Sequence, residues 1–181
     1  EFTYESDGDD KTVSTVTCYM FYSEEGTDST KNPKYKDGIV IEYYDPNKHY
    51  GIDEFYEDIQ APEFEKVIRS NLALEKPYPF LVVSDNGKIK GWTGAMWNEE
   101  SGRGHFDGII VDEDIRGAGL GKALFCYLCY QSKLNGASYM TFFTGLDNPA
   151  RYIYLGAGFK IAQSFADMKK KLYAFGKKER H

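Results

Sequence analysis

Cysteine is scarce in this sequence: among 181 residues only Cys18, Cys126 and Cys129 occur, too few for a complete disulfide framework. No Asn-x-Ser/Thr acceptor is present either, and the two absences together point to a reducing, cytoplasmic setting. No apolar run approaches the roughly 18 to 20 residues that cross a bilayer. The opening residues, EFTYESDGDD, are acidic, unlike a signal peptide. Positive charge is also in short supply. A formal charge of −6 argues against nucleic acid or an anionic membrane as a partner, because both need counter-charge spread over a surface. It suits a cationic substrate such as an amine. The basic clusters Lys169-Lys170-Lys171 and Lys177-Lys178 lie near the C-terminal end and read as a solvated strand face and tail.

What the chain does have is ordinary globular material: 41% hydrophobic residues build one sizeable core rather than two. Fifteen tyrosines and twelve phenylalanines predict an aromatic-rich interior and groove. Residues 1–38 read as an N-terminal extension holding one strand, 13–22, followed by a polar, turn-rich connector. Residues 39–181 read as the main domain. There IVIEYY from Ile39 is a strand, and GIDEFYEDI and PEFEKVIRSNLAL are two short helices, the second with Pro62 at an N1-like position. Phe80 to Val83 and Lys88 to Trp97 flank Asn86-Gly87, a hairpin signal. His105 to Val111 is a further strand. A helix then runs to about Lys133, closed by Asn135-Gly136. Ser138 to Thr144 reads as a strand, Pro149 to Ala157 as a short helix, and Phe159 onward as one or two last strands. No repeat of 20 to 50 residues is visible.

Chemistry concentrates in VDEDIRGAGLGKAL, Val111 to Leu124. A P-loop would need Gly and Ser or Thr where Arg116 and Ala123 stand. A dinucleotide fingerprint beginning at Gly117 would put its last Gly at Lys122. A calcium loop beginning at Asp112 would have Arg116 fifth and Ala123, not Glu, twelfth. What survives is a strand, an Arg, small residues at 117, 118, 119 and 121, and a helix start. Small residues let backbone amides approach a ligand, and the unpaired N–H groups and dipole of the first turn favour phosphate or pyrophosphate.

Arg116-Gly117-Ala118-Gly119-Leu120-Gly121, with Val111 five residues before it, resembles the R/Q-x-x-G-x-G/A signature of the GNAT acyltransferase superfamily. About thirty residues on, Ala150, Tyr154 and Gly158-Phe159 are similar to that superfamily's second motif. Its frequent Asn seven residues before the Tyr is Asp147 here, with Asn148 one place off. The resemblance covers roughly residues 39 to 175. It implies an α/β (α+β) fold with a mixed, mostly antiparallel central sheet, splayed between the strand before the loop and the next parallel strand and flanked by helices. The final segment, AQSFADMKKKLYAF, leaves little room for the usual long connection between the last two strands.

The resemblance also implies acetyl-CoA as co-substrate, with no metal, and direct attack by an amine on the thioester. Ile109, Ile110 and Val111 would meet the pantetheine arm. Arg116, Gly117, Ala118, Gly119, Leu120, Gly121 and Lys122 would meet the pyrophosphate, with Asn148 a further contact. Tyr154 holds the position of the general acid, which protonates the departing thiolate. A lysine-like amine of pKa ~10.4 is only about 0.04% neutral at pH 7, a cost of roughly 4.6 kcal/mol, so a base is useful. Strand alternation puts His105, Asp107, Ile109 and Val111 on one face; His105 or Asp107 could be that base, or neither.

The leading expectation is an N-acetyltransferase of a small-molecule amine. A protein N-terminus or lysine is the alternative acceptor, and a non-catalytic acyl-CoA-binding module the alternative class. Strand 13–22 would suit pairing with a second copy or with a preceding domain. Cys126 and Cys129 have CxxC spacing but fall within one helix without a second ligand pair, and so read as structural thiols. Trp92, Trp97, Phe142 and Phe143 read as core or as acceptor-pocket walls, and Asp53, Glu54 and Glu57 as solvated helix face.

Overall fold

The computed structural model describes residues 11–22 and 37–170, with side chains over 37–165. Strand β1, Lys11–Tyr22, comes first, then β2, Ile39–Tyr43. Helices α1, Ile52–Ile59, and α2, Pro62–Leu72, follow, with Gly51 in the left-handed region at the start of α1 and Pro62 opening α2. Strands β3, Leu81–Asp85, and β4, Lys88–Asn98, join through Asn86 and Gly87, both at positive φ (49° and 88°). That is the two-residue turn an Asn-Gly pair favours. Strand β5, Arg103–Val111, leads through a short 3-10 turn at Glu113–Ile115 into α3, Leu120–Leu134. Strand β6, Tyr139–Gly145, helix α4, Ala150–Gly156, and strand β7, Lys160–Lys170, complete the described chain. The remaining C-terminal residues, with the basic cluster at 177–178, lie outside the described residues.

All seven strands form one sheet in the order β2-β3-β4-β5-β6-β1-β7. Every neighbouring pair is antiparallel except β5 and β6, so the sheet is mixed and mostly antiparallel, as expected. The N-terminal strand sits inside it: β1 lies between β6 and β7 and pairs with both. The parallel contact is brief. Only Arg103–Tyr139 and Gly104–Met140 are in register, after which β5 and β6 diverge. Three further links bolt the closed end: Ser138 N–H to Gly102 C=O (2.8 Å), Tyr139 Oη to Ser101 Oγ (3.3 Å) and Arg103 Nη1 to Thr141 Oγ1 (3.3 Å).

Helices cover both faces. Leu120, Ala123, Leu124, Phe125, Leu128 and Cys129 recur at helical spacing and bury one side of α3. All of these but Ala123 form one core with Leu81, Val83, Met96, Phe106 and Tyr154 of α4; Phe55, Tyr56 and Ile68 of α1 and α2, with Val82, Ile89 and Trp92, form the other. Gly108 lets α2 lie flat on β5: a Cβ there would stand 2.5 Å from Phe64 Cε1.

Simple alternation along β5 is corrected by these cores. Phe106, Ile109 and Val111 all face α3 and α4, while Ile110 faces α1 and α2. His105 stacks on Trp97, its cross-strand neighbour, on the side opposite Phe106. The cause is local. The β4–β5 ladder passes from Gly94–Gly108 to Met96–Phe106 with Ala95 and Asp107 left out, and Gly94 takes φ +139°, a conformation open to glycine. On β4 the faces switch too, Trp92 toward one core and Met96 toward the other.

At the open end, Lys90 ties the exit of β5 to the body of the sheet. Its Nζ donates to Asp112 Oδ2 and Asp114 Oδ2, each at 2.8 Å. The Lys90 and Asp112 side chains are only 14% and 9% exposed. Burial pushes the Asp112 carboxyl up, but hydrogen bonds from Lys90 and from the amides of the 3-10 turn outweigh it and hold the group below its ordinary range. The bonds to Asp112 and Asp114 hold Lys90 above the usual lysine range.

Asp112 therefore contributes stability that is complete above its unfolded pKa of ~3.9 and is lost as pH falls through the lower folded value. Lys90→Met should destabilise the fold by about 3 kcal/mol at pH 7, because it strands a buried carboxylate. In that variant acid relieves the burden, so the deficit in urea unfolding should shrink below about pH 4; an equal deficit at both pH values would count against the pair.

Candidate functional site

The loop between β5 and α3 takes its shape from two glycines. Gly117 and Gly119 adopt φ +85° and +80°, and nothing lies within 4 Å of where a Cβ would stand on either. Their role is conformational, and the space over them is open. Gly121 serves packing instead: a Cβ there would meet Ile153 Cδ1 at 3.0 Å, so α3 and α4 approach closely only without one. Gly119 caps α3 with no side chain, and the first helical bond runs from Ala123 N–H to Gly119 C=O. The first-turn amides of a 15-residue helix are left for a ligand, with the positive end of the dipole behind them.

Beside this turn lies a cleft of about 510 Å³ between the end of β5, the loop and the start of α4. Ile109, Ile110, Val111, Arg116, Gly117, Gly119, Leu120, Gly121, Lys122 and Asn148 line it; of the expected cofactor contacts, Ala118 alone does not. Pro149, Ala150 and Ile153 add a wall that went unassigned from sequence. Ala150 and Ile153 are three apart on α4, so helical spacing from the second motif was the available signal.

The two cations differ. Arg116 is turned back on its own loop, Nε donating to Val111 C=O at 3.0 Å and Nη1 to Glu113 Oε1 at 2.8 Å. Lys122 has no carboxylate partner among the described residues. Asn148 accepts from Ala150 N–H at 3.0 Å, which fixes the start of α4, while its side-chain N–H groups have no partner among the described residues.

Tyr154 lies on the α4 side of the divergence between β5 and β6. Its ring is 4.5 Å from Phe142, 4.8 Å from Phe125 and 6.5 Å from Phe106. It is 6% exposed, and burial alone pushes its phenol up to about 12. No hydrogen-bond partner for its hydroxyl occurs among the described residues. His105 and Asp107 sit on β5, with His105 Nε2 3.4 Å from Asp107 Oδ1 and the imidazole 3.8 Å from the Trp97 ring. The site thus divides across the strand, with phenol on one face and imidazole on the other.

Other sequence features resolve simply. Cys126 and Cys129 are free thiols in α3 and burial pushes both up, which makes them poor nucleophiles. Trp92 and Phe142 are core, Phe143 is exposed on β6, and Asp53 pairs with Arg69 on the helical face. Among the described residues no group of three or more His, Cys, Asp or Glu could hold a metal ion, and no helix is long and apolar enough to cross a membrane.

Solved structures share this architecture. A GCN5-related N-acetyltransferase from Sphaerobacter thermophilus superposes with TM-score 0.64 at 18% identity, over 86% of this chain and 51% of its own. An acetyltransferase of the GNAT family from Colwellia psychrerythraea gives 0.64 at 17%, over 87% and 56%. The glucosamine N-acetyltransferase region of a fungal multi-domain GH3 β-N-acetylglucosaminidase gives 0.62 at 14%, over 84% and 20%. The chain spans about half the length of the first two. No curated protein matches. The model of the acetyltransferase (GNAT) family matches residues 39–159, a stretch that runs from β2 to the end of the second motif and contains the loop, the cleft, the divergence and Tyr154. On that match the chain belongs to the GNAT acetyltransferase family.

Proposed function

We propose that the chain is an N-acetyltransferase that moves the acetyl group of acetyl-CoA to the primary amine of a small molecule. The observation that carries this reading is the cleft at the uncapped start of α3, beside two parallel strands that part after two pairs. Beyond Gly104 the β6-facing edge of β5 has no strand partner among the described residues. Its N–H and C=O groups are available to the amides of an extended pantetheine arm along Ile109, Ile110 and Val111. The pyrophosphate then meets the Gly117–Lys122 amides, with Lys122, which has no carboxylate partner among the described residues, supplying positive charge and Arg116 bracing the turn.

The amine approaches from the face of His105 and Asp107. As its nitrogen bonds to the acetyl carbon, the C–S bond breaks. The ammonium proton passes to His105, with Asp107 beside it, and the thiolate gains a proton from Tyr154 on the other face. A phenol at about 12 is a weaker acid than the thiol it would form, at ~8.5 in water. The same desolvation that raises the phenol also disfavours the thiolate, so Tyr154 acts as a hydrogen-bond donor whose proton moves as the bond breaks. A reducing, cytoplasmic location fits the two free thiols of α3.

Thiol release from acetyl-CoA should depend on added amine. Tyr154→Phe should lower kcat by roughly 10²- to 10⁴-fold and leave CoA affinity in place; unchanged kcat would remove Tyr154 as the acid. Lys122→Ala should weaken CoA binding by about tenfold or more in calorimetry, the scale of a charge-assisted hydrogen bond, and by less at high salt. Gly119→Glu combines strain at positive φ with a negative charge at the phosphate site; CoA binding of normal strength by that variant would refute the loop's assignment.

A further inference from the structure

A second cleft, of about 590 Å³, opens at the other end of the sheet from the phosphate loop. Tyr43 and Tyr44 at the end of β2, Leu72 of α2, Tyr78 and Phe80 from the segment leading into β3, and Asn135 beyond α3 form its walls, with three prolines, 46, 77 and 79. No lining side chain is charged. The size is that of a small-molecule site.

The walls are built rather than incidental. Asn71, 7% exposed, clamps Tyr78 at two points, Nδ2 donating to its C=O at 2.8 Å and Oδ1 accepting from its N–H at 3.0 Å. Pro79 C=O accepts from Met96 N–H at 2.8 Å, which pins the same segment to β4. The Tyr44 and Phe80 rings stack at 4.7 Å, and Tyr43 Oη donates to Gln131 at 3.0 Å. Tyr78 and Tyr43 nevertheless remain 46% and 37% exposed. Large aromatic side chains held at fixed backbone positions and left partly bare are what a preorganised apolar subsite requires.

The wall of the cleft also packs toward His105 and Asp107. The Tyr78 ring, part of its wall, lies 5.0 Å from Trp97, and Trp97 lies 3.8 Å from His105, which faces Asp107. An unbroken run of rings joins the cleft to the groups placed at the amine.

We infer that the acceptor is a primary amine carried on an apolar, ring-bearing body, with the body seated in the Tyr43–Tyr78 cleft and the amine extended past Trp97 to His105 and Asp107. This deepens the proposed acetyl transfer and rests on it. Neutral walls give no purchase to the extra charges of a polyamine or a phosphorylated amine. The faces of Tyr78 and Trp97 and the Asp107 carboxylate suffice for a single ammonium group on its way to the base.

Thiol release at saturating acetyl-CoA, with 2-phenylethylamine, spermidine, glucosamine and a lysine-containing peptide as acceptors, tests the inference. The expected result is a kcat/KM at least tenfold higher for 2-phenylethylamine than for the other three. Tyr78→Ala should raise its KM fivefold or more without changing the KM for acetyl-CoA, and Tyr78→Phe should restore it. A preference for spermidine, glucosamine or the peptide, or an unchanged KM in Tyr78→Ala, would overturn it. Should no amine release thiol while CoA still binds, acetyl transfer itself fails. The cleft is then judged alone by quenching of tryptophan fluorescence with 2-phenylethylamine: saturable quenching lost in Tyr78→Ala supports it, and no saturable quenching of the native chain rules it out.

Discussion

Two backbone pairs, Arg103–Tyr139 and Gly104–Met140, hold the parallel strands β5 and β6 together, and everything at the site depends on their being only two. A parallel ladder continued to Val111 would satisfy the edge of β5 and leave nothing for an extended ligand to pair with. The closed end is bolted by links among residues 101–103 and 138–141, so the strands part from a fixed hinge and not from general looseness. On the α4 side the gap is filled by rings: Phe106 meets Phe142 edge-on at 5.1 Å, and Tyr154 meets Phe142 at 4.5 Å. Aromatic packing replaces the missing hydrogen bonds as the force that keeps the two strands at their separation.

The switch of faces at Gly94 and Gly108 divides the chemistry. With regular alternation, His105 and Asp107 would share a face with Ile109 and Val111, on the side of the cleft. The switch keeps the apolar residues in the α3 core and leaves the imidazole on the other side. In the proposed acetyl transfer, a proton acceptor and a proton donor then flank the reacting carbon without touching each other. Burial completes the division, since Tyr154 is enclosed by rings while His105 is partly exposed.

Much of this was legible from residue order. The Asn-Gly turn, the Pro62 helix start, the Gly136 closure of α3 and the glycine spacing of the loop are local signals, and each is found where the sequence puts it. Most of the residues that line the cleft could be read for the same reason, because they belong to one short segment and to its partner motif. What sequence could not supply is set by contacts between distant residues. The face switch needs β4 and β5 to skip Ala95 and Asp107 together. The turning of Arg116 onto Val111 and Glu113 depends on the 3-10 turn, and the rise of the Tyr154 phenol on three rings from three other elements. Composition promised an aromatic groove without indicating that Tyr43 and Tyr78, 35 residues apart in the sequence, would face one cleft.

The place of β1 bears on how the sheet is assembled. Thr17 pairs with Phe165 and Cys18 with Ser164, contacts between segments far apart in the sequence, whereas β2 to β5 are joined by near neighbours in sequence. Closing so long a loop carries an entropic cost before any pairing repays it. The strands β2 to β5, with the Gly117–Gly121 loop at their end, can therefore form early in synthesis, and β1 can join β6 once Tyr139–Gly145 is made, while β7 waits for residues near 165 to emerge. Until then the outer edge of β1 is open, and the interval before β7 covers it is when this protein is most prone to pair with the wrong strand.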